Sequence, residues 1–225
     1  MVLAVKAVLI DLDGTLLDTV DDLADAINAM LVELGRAALP VSVVRDYLGK
    51  GILHLVRRCW NHASPQPMTE PEFERSLPIF KRYYQAGSGA KSRVYPGVID
   101  GLEAMLDAGL QLACVTNKSA IFAEPLLKHM GLAHYFQCVI SGDTLAEKKP
   151  HPLPFLHACK LLGVTPNQAL VIGDSRNDVA AARAAGCPVF CVPYGYSEGE
   201  DVGDLGGDAI VTTLDEAARR LVRAI

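Results

Sequence analysis

The sequence predicts an α/β protein: a parallel sheet covered on both faces, with an all-helical unit inserted after its first strand. Three observations predict it. Short apolar runs of strand length alternate with amphipathic stretches of helix length, the pattern of a parallel sheet buried on both sides. Gly109, Gly131, Gly163 and Gly186 each stand just past a helical stretch, where a left-handed residue ends a helix. The alternation breaks once, between Thr15 and about residue 110, in a segment that reads as helix.

The first strand is expected within residues 4–10, a continuous apolar run. Helical spacing then takes over. From 18 to 34, Leu23, Ile27, Met30, Leu31 and Leu34 fall on one face. A second pattern carries Ile52, Leu55, Val56 and Cys59, and a third, over 70–85, carries Phe73, Leu77, Phe80 and Tyr84. A structureless excursion this long is foreign to a compact domain, so an inserted helical subdomain is expected, joined by linkers near 16–19 and 86–96. The remaining strands are expected at 110–115, 139–140, 169–172, 189–192 and 209–211, and the helices between them at 98–108, 120–130, 154–162 and 178–185. The Gly/Asp/Glu-rich segment 195–208 reads as a surface loop, and the chain contains no internal repeat.

Composition narrows the function. The 225 residues are 50% hydrophobic, enough for a sizeable core, and the formal charge is −5. A mildly acidic chain without a basic stripe argues against nucleic-acid binding. No apolar run approaches a membrane span, and the first residues lack a signal-peptide layout, so a soluble cytoplasmic protein is expected. The cysteines at 59, 114, 138, 159, 187 and 191 form no C-x-x-C pair and are read as reduced, without disulfide or zinc.

Ligands of an open parallel sheet bind beyond the carboxyl ends of its strands. The first strand ends on Asp11 and Asp13, the next on Thr116, Asn117 and Lys118, and a later one on Gly173, Asp174, Ser175 and then Asp178, while Lys149 precedes Pro150. Asp11, Asp13 and Asp174 offer enough hard oxygens for one Mg²⁺, which favours a few carboxylates and keeps several waters. A divalent cation and an incoming phosphate make two aspartates one residue apart tolerable. Thr116, the backbone N–H groups of the 11–13 turn and Lys149 are the candidate donors for that phosphate.

The stretches Asp11-Leu12-Asp13-Gly14-Thr15, Thr116-Asn117, Lys149-Pro150 and Gly173-Asp174-Ser175-Arg176-Asn177-Asp178 resemble, in order, the four motifs of the haloacid dehalogenase superfamily. The resemblance covers the chain. It implies a Rossmann-like α/β core (HAD fold) of residues 1–16 and 93–225, with a C1-type helical cap of residues 17–92. It further implies roles. Asp11 is the nucleophile that forms an aspartyl-phosphate, and Asp13 protonates the leaving oxygen and then activates water. Thr116 and Lys149 hold the phosphoryl oxygens. Asp11, the Asp13 carbonyl and Asp174 bind Mg²⁺, with Asp178 orienting the metal's waters or Lys149. In finer detail the stretches "KKPHPLPFLHACKLLGV" and "VGDLGGD" and the cap segment Gly49-Lys50-Gly51 resemble bacterial phosphoglycolate phosphatases. That likeness implies hydrolysis of 2-phosphoglycolate, a small phosphorylated metabolite. Its carboxylate calls for a cap cation, with Lys50, Arg57 and Arg58 as candidates and Asn117 as a further substrate contact. A phosphosugar mutase, a phosphatase for another small phosphomonoester and a non-catalytic phosphate-sensing module stand as alternatives. Monomer and dimer are both left open.

Blander readings stand beside these. Asp178 opens an Ala-rich helix and suits an N-terminal cap as well as a site role. Arg57 and Arg58 suit a solvated helix face. Thr19, Asp21 and Asp22 are expected to cap the first inserted helix, and no histidine is expected as a ligand.

Overall fold

The computed structural model describes residues 5–197 and 199–222. Its centre is a six-stranded parallel sheet. The strands are β1 (Ala7–Ile10), β4 (Gln111–Val115), β5 (Cys138–Ile140), β6 (Ala169–Gly173), β7 (Val189–Cys191) and β8 (Ala209–Ile210), in spatial order β5-β4-β1-β6-β7-β8. Every expected strand is present within a residue or two, except that the run starting at residue 4 begins pairing only at Ala7; residue 4 itself lies outside the described residues. β1 is central. Ile10 is in register with Cys114 on one side and Ile172 on the other, so the ends of β1, β4 and β6 emerge side by side.

The two-residue period of a strand sorts its side chains onto two faces. Val8, Ile10, Leu112, Cys114, Leu170 and Ile172 join one apolar cluster, together with residues of α5 (Val98–Asp107), α6 (Ala120–His129) and α9 (Leu214–Val222). Ala7, Leu9, Ala113, Val115 and Val171 join another, under α7 (Leu153–Leu162) and α8 (Arg176–Ala185). Both faces of the sheet are therefore dry. All six cysteines are free. Among the described residues, no helix is long and apolar enough to cross a membrane.

Between β1 and α5 the chain makes its helical excursion: α1 (Val20–Glu33), α2 (Val41–Arg45), α3 (Ile52–Ala63) and α4 (Glu70–Gly87). These helices have an apolar cluster of their own, built on Leu23, Ile27, Met30, Leu55, Val56, Phe80 and Tyr84. Two residues from the sheet unit, Phe122 and Tyr196, plug into that cluster. The Tyr84 and Phe122 rings meet edge-on at 4.9 Å.

The neck differs from the sequence expectation of plain linkers. Leu17–Asp18 (β2) pairs antiparallel with Arg93–Val94 (β3). Two residues per strand carry no readable period, which is why the ribbon is invisible in the sequence. Asp22 stands in the first turn of α1, as expected, and also accepts hydrogen bonds from the backbone N–H groups of Gly89, Lys91 and Ser92 and from the Ser92 hydroxyl. It fastens the second linker to the first inserted helix. The segment 195–208 is not wholly a surface loop either: Tyr196 and Leu205 are buried in it.

Candidate active site

Asp11 follows the last residue of β1, and its backbone N–H is held by the Ile172 carbonyl at 3.0 Å, so the sheet fixes its side chain. Thr116 and Asp174 follow β4 and β6 on either side. One oxygen from each of Asp11, Asp174 and Asp178 lies within 4.8 Å of the others, and all three residues are buried. Three ionised carboxylates so close repel one another in a medium that solvates them poorly. The titration directions say the same. Burial, then the charges of Asp178 and Asp13, push the Asp11 carboxyl up to about 7 against the pull of Lys149. Burial, then Asp11 and Asp178, push Asp174 well above the carboxylate range.

Lys149 is the main counter-charge. Its buried Nζ lies 2.7 Å from Asp11 Oδ1, 2.6 Å from Asp178 Oδ1 and 2.7 Å from the Val115 carbonyl oxygen. The contact with Asp11 is ionic without hydrogen-bond alignment, so Asp11 Oδ1 is left as a buried oxygen with no hydrogen-bond partner. Asp178 does two things at once. Its Oδ2 accepts from the Ser175 hydroxyl and backbone N–H, closing a capping box on α8, while Oδ1 faces Lys149. The capping and site readings of Asp178 therefore describe one residue. Asp174 accepts from the Thr15 hydroxyl and from the Tyr196 backbone N–H. Gly14 sits against that carboxylate at φ +89°, and a Cβ there would collide with Asp174 Oδ2.

These donors fit a hard divalent ion: clustered buried carboxylates, one of them carrying an orphaned oxygen, and a single ammonium among three acids.

The cleft in front of Asp11 lies between the sheet ends and the inserted helices. Asp11, Asp13, Thr116, Asn117 and Lys118 line its floor; Leu23, Leu48, Gly49, Gly51, Ile52 and Leu55 line its roof. Asn117 Nδ2 donates to the Gly49 carbonyl at 3.0 Å and the Lys149 carbonyl at 2.9 Å, so the amide ties roof to floor. Asp13 accepts from Thr19 Oγ1 at 2.6 Å and from Lys118 Nζ at 2.9 and 3.2 Å. Thr19 thus serves Asp13 rather than the end of α1.

The expected cap cations are placed elsewhere. Arg57, two residues past Leu55, falls on the far side of α3, where it pairs with Glu70 at 2.7 Å and lies over the Phe73 ring. Arg58 stacks on Tyr47. Lys50 lines a neighbouring cleft with Pro150, Ser175, Arg176 and Asn177. Two residues given no role from the sequence are central instead. Lys118 stands at a strand end beside Thr116 and Asn117, a position that could have marked it. Tyr196 carried no signal. Its hydroxyl accepts from the Thr19 and Val20 N–H groups at 2.7 and 3.1 Å and donates to Asp18 at 2.6 Å.

A buried carboxylate cluster at the central strand ends of a parallel sheet, roofed by helices inserted after the first strand, is the arrangement of a phosphoryl-handling α/β hydrolase. The chain belongs to the haloacid dehalogenase-like hydrolase family, whose sequence profile matches residues 8–192. More particularly, it is 49% identical over 222 residues to a phosphoglycolate phosphatase of Nitrosospira multiformis, covering 99% of this chain and 98% of that one. It is 48% identical over 225 residues to a phosphoglycolate phosphatase of Thiobacillus denitrificans, covering 99% and 98%. Among solved structures, a predicted phosphoglycolate phosphatase from Haemophilus somnus superposes with a TM-score of 0.92 at 35% identity, covering 96% of this chain and 97% of that one.

Proposed function

We propose that this protein is a Mg²⁺-dependent phosphatase that hydrolyses 2-phosphoglycolate to glycolate and phosphate through an aspartyl-phosphate on Asp11. The observation that carries the reading is the placement of Asp11: fixed at the end of the central strand, facing a closed-over cleft, with Lys149 and two further carboxylates behind it. The relatives' shared name supplies the substrate.

Asp11 and Asp174, with the Asp13 carbonyl, are the proposed metal holders, and Asp178 orients Lys149. When bound, the cation offsets charge on the phosphoryl oxygens and lets the crowded acids ionise together. Asp11 attacks phosphorus, while Asp13 gives a proton to the leaving glycolate oxygen and then takes one from the water that hydrolyses the acyl phosphate. Thr116 donates its hydroxyl to the transferring group, and Lys149 offsets charge that grows as the leaving bond breaks. The division we propose is a core of residues 1–16 and 93–225 and a cap of residues 17–92, with the β2–β3 neck as the hinge region. The cap excludes water while it covers the cleft. A cytoplasmic location fits a metabolite substrate. The roof's Leu23, Leu48, Ile52 and Leu55 offer sugar hydroxyls no polar side chain, which weighs against the phosphosugar mutase alternative.

A phosphate-release screen over small phosphomonoesters, with Mg²⁺ and with chelator, tests this. Strong preference for 2-phosphoglycolate and loss of turnover with chelator are expected. Turnover indifferent to the chelator, or a hexose phosphate as the preferred substrate, would overturn the reading.

A further inference from the structure

We infer that Lys118, a residue of the sheet unit, is the counter-ion for the substrate's carboxylate, and so the main determinant of preference for acidic phosphomonoesters. The inference rests on the phosphatase reading above and deepens it.

The requirement comes first. A carboxylate carried into a cleft roofed by Leu23, Leu48, Ile52 and Leu55 is stripped of water, and it binds there only if a cation meets it. Arg57 and Arg58 are turned away from that cleft, as described, and Lys50 lies on the neighbouring one. Lys148 reaches the roof loop but donates to the Lys50 carbonyl at 2.8 Å and does not line the cleft. Among the described residues, Lys149 and Lys118 are the ammonium groups in contact with the site aspartates. Lys149 is enclosed: it donates to Asp178 and the Val115 carbonyl and lies in ionic contact with Asp11. Lys118 is different. Its Nζ is as deeply buried, yet among the described residues the only charge it meets is the one carboxylate of Asp13; its further neighbour is the neutral Tyr84 hydroxyl, which an incoming anion can replace. It also lines the cleft, whereas Lys149 stands behind it.

The substrate's own dimensions fit. In 2-phosphoglycolate a single CH₂ separates the ester oxygen from the carboxylate carbon, so the carboxylate oxygens stay about one hydrogen-bond length from the leaving oxygen. Asp13 is the proposed proton donor to that oxygen, and Lys118 Nζ touches Asp13 at 2.9 Å. A cation in contact with the leaving-group acid is therefore within reach of the carboxylate of this substrate class. Handing the ammonium from Asp13 to the substrate frees the Asp13 carboxylate to take a proton from solvent and turn it towards the ester oxygen, which couples recognition to protonation.

The surroundings hold Lys118 for this. Its backbone N–H donates to Thr116 Oγ1 at 3.1 Å, and its carbonyl accepts from Gly142 N–H at 2.8 Å. Its Nζ lies 4.9 Å from the ring centre of Tyr84, which comes from the inserted helices. The lysine is thus fixed at the seam between the two units.

The test compares kcat/KM for 2-phosphoglycolate with kcat/KM for ethyl phosphate, which lacks the carboxylate, in the wild type, Lys118→Met and Lys118→Arg. The wild type is expected to favour phosphoglycolate. Lys118→Met is expected to reduce that preference on the order of 100-fold, mostly through KM for phosphoglycolate. Lys118→Arg is expected to keep most of the preference. If Lys118 served only to position Asp13, both substrates would suffer equally, and an unchanged preference ratio in Lys118→Met overturns the inference. A wild type that does not distinguish the two substrates overturns the phosphoglycolate reading itself, so the two failures are separable. Circular dichroism checks folding, and Lys118→Gln replaces the methionine variant if that one does not fold.

Discussion

Replacing Lys149 by Met keeps an unbranched side chain one atom shorter and removes the ammonium buried among three acids. Its side chain is 2% exposed and sits 2.7 Å from Asp11 and 2.6 Å from Asp178. Breaking a buried ion pair by removing one partner costs about 3–5 kcal/mol. Against a domain stability of about 5–15 kcal/mol, that is a large fraction. The cost depends on pH, with a definite sign. Asp11 titrates at about 7 in the fold against 3.8 as a free side chain, and Asp174 is raised too. A group raised by folding favours the fold at acid pH, and that advantage is lost as pH rises through its folded value. Lys149 pulls both carboxyls down, so its loss pushes them higher and moves the decline further up the pH scale. Urea unfolding of metal-free Lys149→Met should therefore show a penalty of about 3–5 kcal/mol at pH 8 and a clearly smaller one at pH 5, where Asp11 carries a proton. Mg²⁺ should recover part of the loss at pH 8, because a cation that binds only the fold stabilises it. A penalty under about 1 kcal/mol at pH 8, or one equal at both pH values, would refute the reasoning.

Other perturbations test neighbouring parts. Asp11→Asn should lower phosphate release by about 10³-fold or more while the protein remains folded by circular dichroism, since it removes one of the crowded charges. Gly14→Ala places a methyl group against Asp174 at a φ of +89° and should cost about 2 kcal/mol or more in urea unfolding, and should raise the Mg²⁺ concentration needed for half-maximal activity. Tyr196→Phe leaves the Thr19 N–H without its acceptor, and the Val20 N–H with only its longer contact to Asp18, and should cost about 1–3 kcal/mol in the same unfolding assay.

The sheet was legible because each central strand is buried on both faces and so reads as an unbroken apolar run. The site acids were legible because they follow those runs directly. What the sequence hid has physical reasons. α2 has five residues and the neck strands two each, too short for any period to register. α9 carries an amphipathic pattern but lies after the last strand expected, with its apolar face on α5 in the sheet unit's own cluster. Tyr196 sits in a polar, glycine-rich stretch, and its role depends on Asp18, which is 178 residues away in the chain. Arg57 shows the converse failure. Residue type suggested an anion-binding cation, but the helix turn that puts Leu55 in the cleft carries Arg57 to Glu70 and Phe73.

The central claim is that Asp11 attacks phosphorus and carries the phosphoryl group. Acid quenching within the first turnover of Mg²⁺-loaded enzyme on 2-phosphoglycolate, followed by peptide mass spectrometry, tests it most directly. A transient phosphate adduct on the peptide containing Asp11, absent from Asp11→Asn, is the expected result. Phosphate released in the first turnover with no adduct at Asp11, or an adduct on another residue, would contradict it.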